Sequence, residues 1–172
     1  AIKTLLGLGV AVVAAAGNYS TSRRFYPAAF STEPPPPGAA PLISVGARNP
    51  NGSIALFSDG GRWITAWASG AAVVSTFPVD INGRRCPEIQ MPAASGSPGA
   101  GPREALDPDD YRGGFAVWSG TSFAAPLLAA HLARSLLTLS ADPELGLDLT
   151  GAAAATRRTI AALTSIGWHG GD

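Results

Sequence analysis

An α/β fold with a mostly parallel sheet covered by helices is what this chain predicts, and three observations carry it. Val10 to Ala16 (VAVVAAA) is a continuous apolar run without alternation, the pattern of a strand buried on both faces. A helix-like stretch, Ala1 to Leu8, leads straight into it, the order of layered α/β domains. Near the other end, Phe115 to Trp118 passes through Ser119-Gly120-Thr121-Ser122 into an Ala- and Leu-rich segment, a strand, turn and helix in succession.

In chain order, Gly9 is the expected stop of the first helix, where a left-handed residue closes the last turn. The strand after it ends at Gly17-Asn18, and open parallel sheets place their ligands at such carboxyl ends. Polar residues lead to Phe25-Tyr26-Pro27, and Pro34 to Pro37 forms a stiff extended loop. Pro41 to Ala47 (PLISVGA) reads as a second buried strand. Ile54 to Asp59 and Arg62 to Ala68 read as strands around a Gly60-Gly61 turn, and Ala71 to Phe77 as another. From Pro78 to Gly114 the composition turns to Pro, Gly, Ser and charge, which predicts a long surface excursion within one domain of 172 residues. The helix from Phe123 to Leu139 breaks at Ser140-Ala141-Asp142-Pro143. Leu145 to Leu149 is a short irregular piece, Gly151 to Ile166 a last helix, and a Gly-rich tail follows.

Composition excludes several classes of function. Hydrophobic residues make up 46% and charged residues 14%, as in a packed globular chain. A formal net charge of zero removes a general electrostatic attraction for nucleic acid or anionic membrane. No run is expected to span a bilayer: Leu5 to Ala16 is too short and is broken by Gly7 and Gly9. The single cysteine, Cys86, beside Arg84-Arg85, cannot form an internal disulfide and reads as an incidental surface thiol.

Ser122 admits two readings from its position. It can cap the helix by accepting its first N–H groups, or it can present its hydroxyl as a nucleophile at the positive helix end. The order of motifs separates the two. Val10 to Asn18 (ending AAGN), Tyr26-Pro27, Ile43 to Ala47 (ending VGA), Phe57-Ser58, Gly70 to Thr76, and Gly120-Thr121-Ser122-Phe123-Ala124-Ala125-Pro126 (GTSxAxP) together resemble the subtilisin-like serine peptidases. The matches run from about Ala1 to Leu137. Ser69 stands where that family usually has proline, remote from any chemistry.

The resemblance implies a three-layer subtilisin-like fold, here the C-terminal part of the peptidase domain, without its N-terminal strands and helices. It makes Ser122 the nucleophile and Asn18 an oxyanion-hole donor, in an endopeptidase that works through an acyl-enzyme. It further places Ala15, Ala16, Gly17 and Thr121 at the substrate-binding surface, with the first three walling the pocket for the residue before the scissile bond. Gly17 suits such a wall because a residue without Cβ lets a substrate backbone approach. Phe25 either nears the floor of that pocket or packs as ordinary core. A polypeptide substrate and the N-terminal part of the same domain are the implied partners, and a secreted or cell-surface location is the implied setting. No organic cofactor is required, and a structural calcium held by loop carbonyls is compatible with the family.

A base and its orienting carboxylate are also needed, and the family order Asp, His, Ser puts both upstream of Asn18. Neither histidine of this chain is expected to substitute. His131 follows Ser122 by nine positions, about two and a half turns and roughly 13 Å of rise along one helix. His169 sits in the Gly-rich tail, which cannot preorganise a base. Asp59 reads as a turn cap, and Asp107-Pro108-Asp109-Asp110 as a solvated acidic run without the glycine spacing of a calcium loop. The chain alone is therefore expected to be inactive. A non-catalytic pseudo-peptidase acting as a binding or structural piece is the alternative. A phosphate-binding helix end is disfavoured, since the turn lacks the Gly-rich loop and lysine such sites use.

Overall fold

A computed structural model describes residues 1–81, 90–92, 101–104, 111–140 and 151–166. Helix α1 (Ile2–Gly7) precedes strand β1 (Val12–Ala15), and a 3₁₀ turn (Ala28–Thr32) leads to β2 (Leu42–Arg48). Then come β3 (Ala66–Ser69), β4 (Val73–Thr76), β5 (Gln90–Met91), β6 (Arg103–Glu104) and β7 (Phe115–Trp118). The long helix α2 (Thr121–Ser140) and α3 (Ala152–Ser165) follow. The chain divides into two compact units, Ala1–Val73 with Trp118–Asp172, and Val74–Val117.

The first unit holds a parallel sheet of order β1-β2-β3, with Val13 opposite Ile43 and Val45 opposite Ala66. Its middle strand explains the layers. Leu42 to Ala47 are all buried, and their side chains alternate between the two faces. Ile43, Val45 and Ala47 join Ala124, Leu128 and Leu132 of α2 and Ala162 and Leu163 of α3 in the main core. On the opposite face Leu42 packs with Leu6 of α1 and Ala39. There Ser44 donates its hydroxyl to the Trp63 carbonyl. Helices thus lie on both sides of one sheet, the three-layer α/β arrangement that the apolar runs predict.

α2 meets the sheet through Ala124, Leu128 and Leu132, spaced four apart so that they share one face. Pro126 falls early in this helix, and its missing N–H leaves the Ser122 carbonyl without its usual partner four residues on. By length and apolar composition alone, 121–139 qualifies as a membrane span, a correction to the expectation that no run does. Its apolar stripe against β2 is the pattern of a layered α/β fold.

Three strand expectations are corrected. Ile54 to Asp59 is no strand: beyond a single bridge from Ile54 to Arg48 it is a turn, with Ser58 N–H on the Ala55 carbonyl. It docks on Ala47 of β2 through one backbone bond and one side chain: Ala55 N–H donates to the Ala47 carbonyl at 2.9 Å, and Ser58 Oγ accepts the Ala47 N–H at 3.0 Å, so no ladder forms. Arg62 to Ala68 is strand only from Ala66, because Trp63 and Ile64 are drawn into a turn closed by the Ile64 N–H on the Gly61 carbonyl. β1 is half-buried, and the strand buried on both faces is β2.

The second unit contains β5 and β6 as a short antiparallel ladder, Gln90 opposite Glu104, and Phe77 in tilted contact with Tyr111, ring centroids 4.3 Å apart. These fall in and beside the stretch expected as a surface excursion. Arg84-Arg85, Cys86, Asp107 to Asp110, the Leu145 to Leu149 piece and His169 lie outside the described residues.

Candidate active site

The site grows from the carboxyl end of β1. Ala16 N–H bonds the Val45 carbonyl at 2.9 Å, the last link of the ladder, and Gly17 then turns the chain at φ 113°. Only glycine adopts that conformation without strain. Gly17 N–H donates to Thr121 Oγ1 at 3.0 Å, which ties the strand end to the start of α2 across 104 positions of sequence.

Asn18 comes next, and its side chain has a fixed orientation. Oδ1 accepts both the Thr121 N–H at 2.8 Å and the Thr121 hydroxyl at 2.9 Å. Only the amide oxygen accepts, so Nδ2 is turned the other way, beside Gly120, where an added Cβ would stand 3.3 Å from it. The first N–H groups of a helix have no partner inside it. Here Asn18, on a different element, satisfies one of them.

That contact decides the position of Ser122. The helix begins at Thr121, so Ser122 lies inside the first turn and not before it, a correction to its expected capping position. The capping bond to Thr121 N–H comes from Asn18. Ser122 is exposed, at the positive end of α2. Two further bonds seat this turn: Gly120 N–H on the Gly70 carbonyl at 2.7 Å, and Ala72 N–H on Ser119 Oγ at 2.9 Å.

The remaining predicted residues take different places. Thr121 is 1% exposed, and its hydroxyl bridges Gly17 and Asn18 behind the surface. Ala16 is fully buried against Ala28, Ala29 and Trp63, so it belongs to the core. Ala15 is half-buried on β1. Phe25 is 38% exposed and pairs with Tyr19 at a ring distance of 5.6 Å, so it is not ordinary core. His131 is exposed along α2 and lines a groove with Arg134, Ser135 and Thr138. Among the described residues, no three His, Cys, Asp or Glu side chains gather as a metal site.

Asp59 is the residue whose importance the sequence understates. It is fully buried, and Oδ1 accepts the N–H groups of Tyr19 at 2.9 Å and Thr21 at 3.1 Å. Its own N–H bonds the Gly17 carbonyl at 2.9 Å. Gly60 N–H on the Thr21 carbonyl and Ser20 N–H on the Phe57 carbonyl complete the clamp. It does cap a turn, but the turn is the distant loop that follows Asn18.

Residues 1–164 match the family model described as the Subtilase family, Peptidase_S8. The chain belongs to the subtilase family. Solved structures agree at the level of the fold. The prenylagaramide maturation protease PagA is 20% identical with a TM-score of 0.51, over 81% of this subtilase chain and 36% of its own. The patellamide maturation protease PatA is 22% identical with a TM-score of 0.51, over 92% of this chain and 42% of its own. A lanthipeptide protease is 20% identical at 0.51, over 77% and 37% respectively. The subtilase chain thus spans well under half the length of these proteases. A search of curated proteins gave no match.

Proposed function

We propose that this subtilase chain supplies the nucleophile and the oxyanion donor of a serine endopeptidase. Ser122 Oγ attacks the carbonyl carbon of a peptide bond, its proton passing to an imidazole. The C–N bond then breaks as the amine leaves with that proton, and water hydrolyses the resulting acyl-enzyme. During attack the carbonyl oxygen becomes an oxyanion, which Asn18 Nδ2 and the Ser122 N–H stabilise as preorganised donors. The imidazole and its carboxylate belong to a part of the peptidase domain upstream of Asn18, so the isolated chain is inactive.

The observation that supports this reading most is the bond from Thr121 N–H to Asn18 Oδ1. It removes the need for Ser122 as a cap and turns Asn18 Nδ2 away from Thr121. A serine left exposed at a helix N-terminus, next to an asparagine with a fixed amide, is the pairing that acyl transfer needs.

The test is labelling with a fluorophosphonate. The chain alone is expected to stay unlabelled, whereas the chain joined to its upstream segment labels at Ser122 and Ser122→Ala does not. Label retained in Ser122→Ala overturns the assignment. No labelling in the joined form supports the non-catalytic alternative.

A further inference from the structure

Asp59 carries one contact too few. Oδ1 has its two backbone donors, but Oδ2 is buried and has no hydrogen-bond partner. Leaving a buried carboxyl oxygen without a donor is costly, and native structures seldom do so without a reason. Among the described residues no arginine or lysine forms an ion pair with it; Lys3 pairs instead with Glu33.

The direction in which Oδ2 points is informative. A Cβ built on Gly17 would overlap this oxygen and stand 3.2 Å from Phe25 Cδ1. Oδ2 and the Phe25 ring therefore flank the space that a side chain at position 17 would fill. Gly17 immediately precedes Asn18, so a peptide whose carbonyl oxygen lies at Asn18 Nδ2 has the residue bearing that carbonyl beside Gly17. The Phe25 ring that edges this place is 38% exposed, and Tyr19, 70% exposed, lies against it in a tilted contact at 5.6 Å.

An unpartnered carboxyl oxygen beside a partly open aromatic ring is the chemistry that receives a guanidinium or ammonium group. We infer that Asp59 makes this peptidase prefer substrates with arginine or lysine immediately before the scissile bond, the cationic group bonding Asp59 Oδ2 past Gly17. The inference rests on the catalytic reading given above. Asp59 is closed off in the free structure, so the incoming side chain must displace the Phe25 ring, a rotamer change that partly exposed side chains make readily.

The experiment uses the joined, Ser122-labelling peptidase and matched peptides that differ only before the scissile bond: arginine, lysine, norleucine and glutamate. Arginine and lysine are expected to give the highest kcat/KM. Asp59→Asn keeps an acceptor for the Tyr19 and Thr21 N–H groups, and should lower the arginine-to-norleucine ratio by about 10- to 10²-fold, the worth of a hydrogen bond to a charged group. A wild-type preference for norleucine overturns the inference without any mutant. So does a loss in Asp59→Asn that is equal for all four peptides, as expected of a clamp that only holds the loop. Hydrolysis persisting in Ser122→Ala, by contrast, sinks the catalytic reading itself and this inference with it.

Discussion

At the scale of single residues, the site depends on one side chain that need never touch substrate, that of Thr121. The Thr121 hydroxyl accepts from Gly17 N–H and donates to Asn18 Oδ1, so it joins the strand end to the amide of the proposed oxyanion donor. Thr121→Val preserves shape but removes both bonds. Because the Gly17 N–H is then left buried without a partner, stability should fall by about 1–3 kcal/mol, read as a lowered midpoint in urea. In the joined enzyme kcat should fall further than KM rises, while Thr121→Ser restores both. Asn18→Ala should cost about 10²–10³ in kcat, a figure known for the corresponding donor of subtilisin and carried over by kinship. Gly17 is constrained twice, by φ 113° and by Asp59 Oδ2. Gly17→Ala should therefore destabilise by at least about 1–3 kcal/mol, the range for backbone strain alone. A wild-type melting curve for Gly17→Ala would remove the close approach on which the Asp59 geometry depends.

Among the elements, the contact that sets the proposed nucleophile, Ser122, is the docking of the α2 start on the end of β3. Gly70 makes it possible. A Cβ there would stand 2.8 Å from Ala47 Cβ, 2.9 Å from the Gly120 carbonyl and 3.0 Å from Ala124 Cβ. Gly70→Ala should cost about 1–3 kcal/mol through overpacking. It should also push the Gly120 turn outward, and a misplacement of about 1 Å can cost about 10²-fold in rate. Activity measured where the variant is still folded checks the second effect apart from the first. The elements also show how far the sequence could be read. β2, α2 and α3 were legible because an unbroken apolar run or an Ala/Leu-rich stretch has few other uses in a folded chain. Ile54 to Asp59 looked like a strand because Ile54, Leu56 and Phe57 are apolar, yet Leu56 is 90% exposed and Ser58 holds the segment. Asn18 and Ser122 were legible as residue types at motif positions. That Asn18 caps α2, or that Asp59 faces Gly17, was not, because both depend on contacts between residues 103 and 40 or so positions apart.

For the whole molecule, the question is what covers the surfaces that the first unit leaves open. In the described sheet β1 is an edge, paired to β2 on one side only, and its residues are half-buried. It belongs to the apolar run Val10 to Ala16, and Val10 is 45% exposed. An apolar edge strand offers a row of free N–H and C=O groups and is a template for pairing with another chain. α2 adds to the exposed apolar surface: Ala124, Leu128 and Leu132 face the sheet, whereas Leu127 is 36% and Leu137 72% exposed. Charged side chains that commonly blunt such edges are absent from β1 itself, whose four residues are Val12, Val13, Ala14 and Ala15. The chain by itself is therefore expected to self-associate, and to become monodisperse when joined to the upstream segment proposed to allow Ser122 labelling. Size-exclusion chromatography with light scattering, run across a tenfold range of concentration, reads this directly. A monomer at every concentration, with a sharp cooperative melt, would mean that β1 and α2 need no cover, and that stability does not depend on the segment proposed to complete the catalytic site.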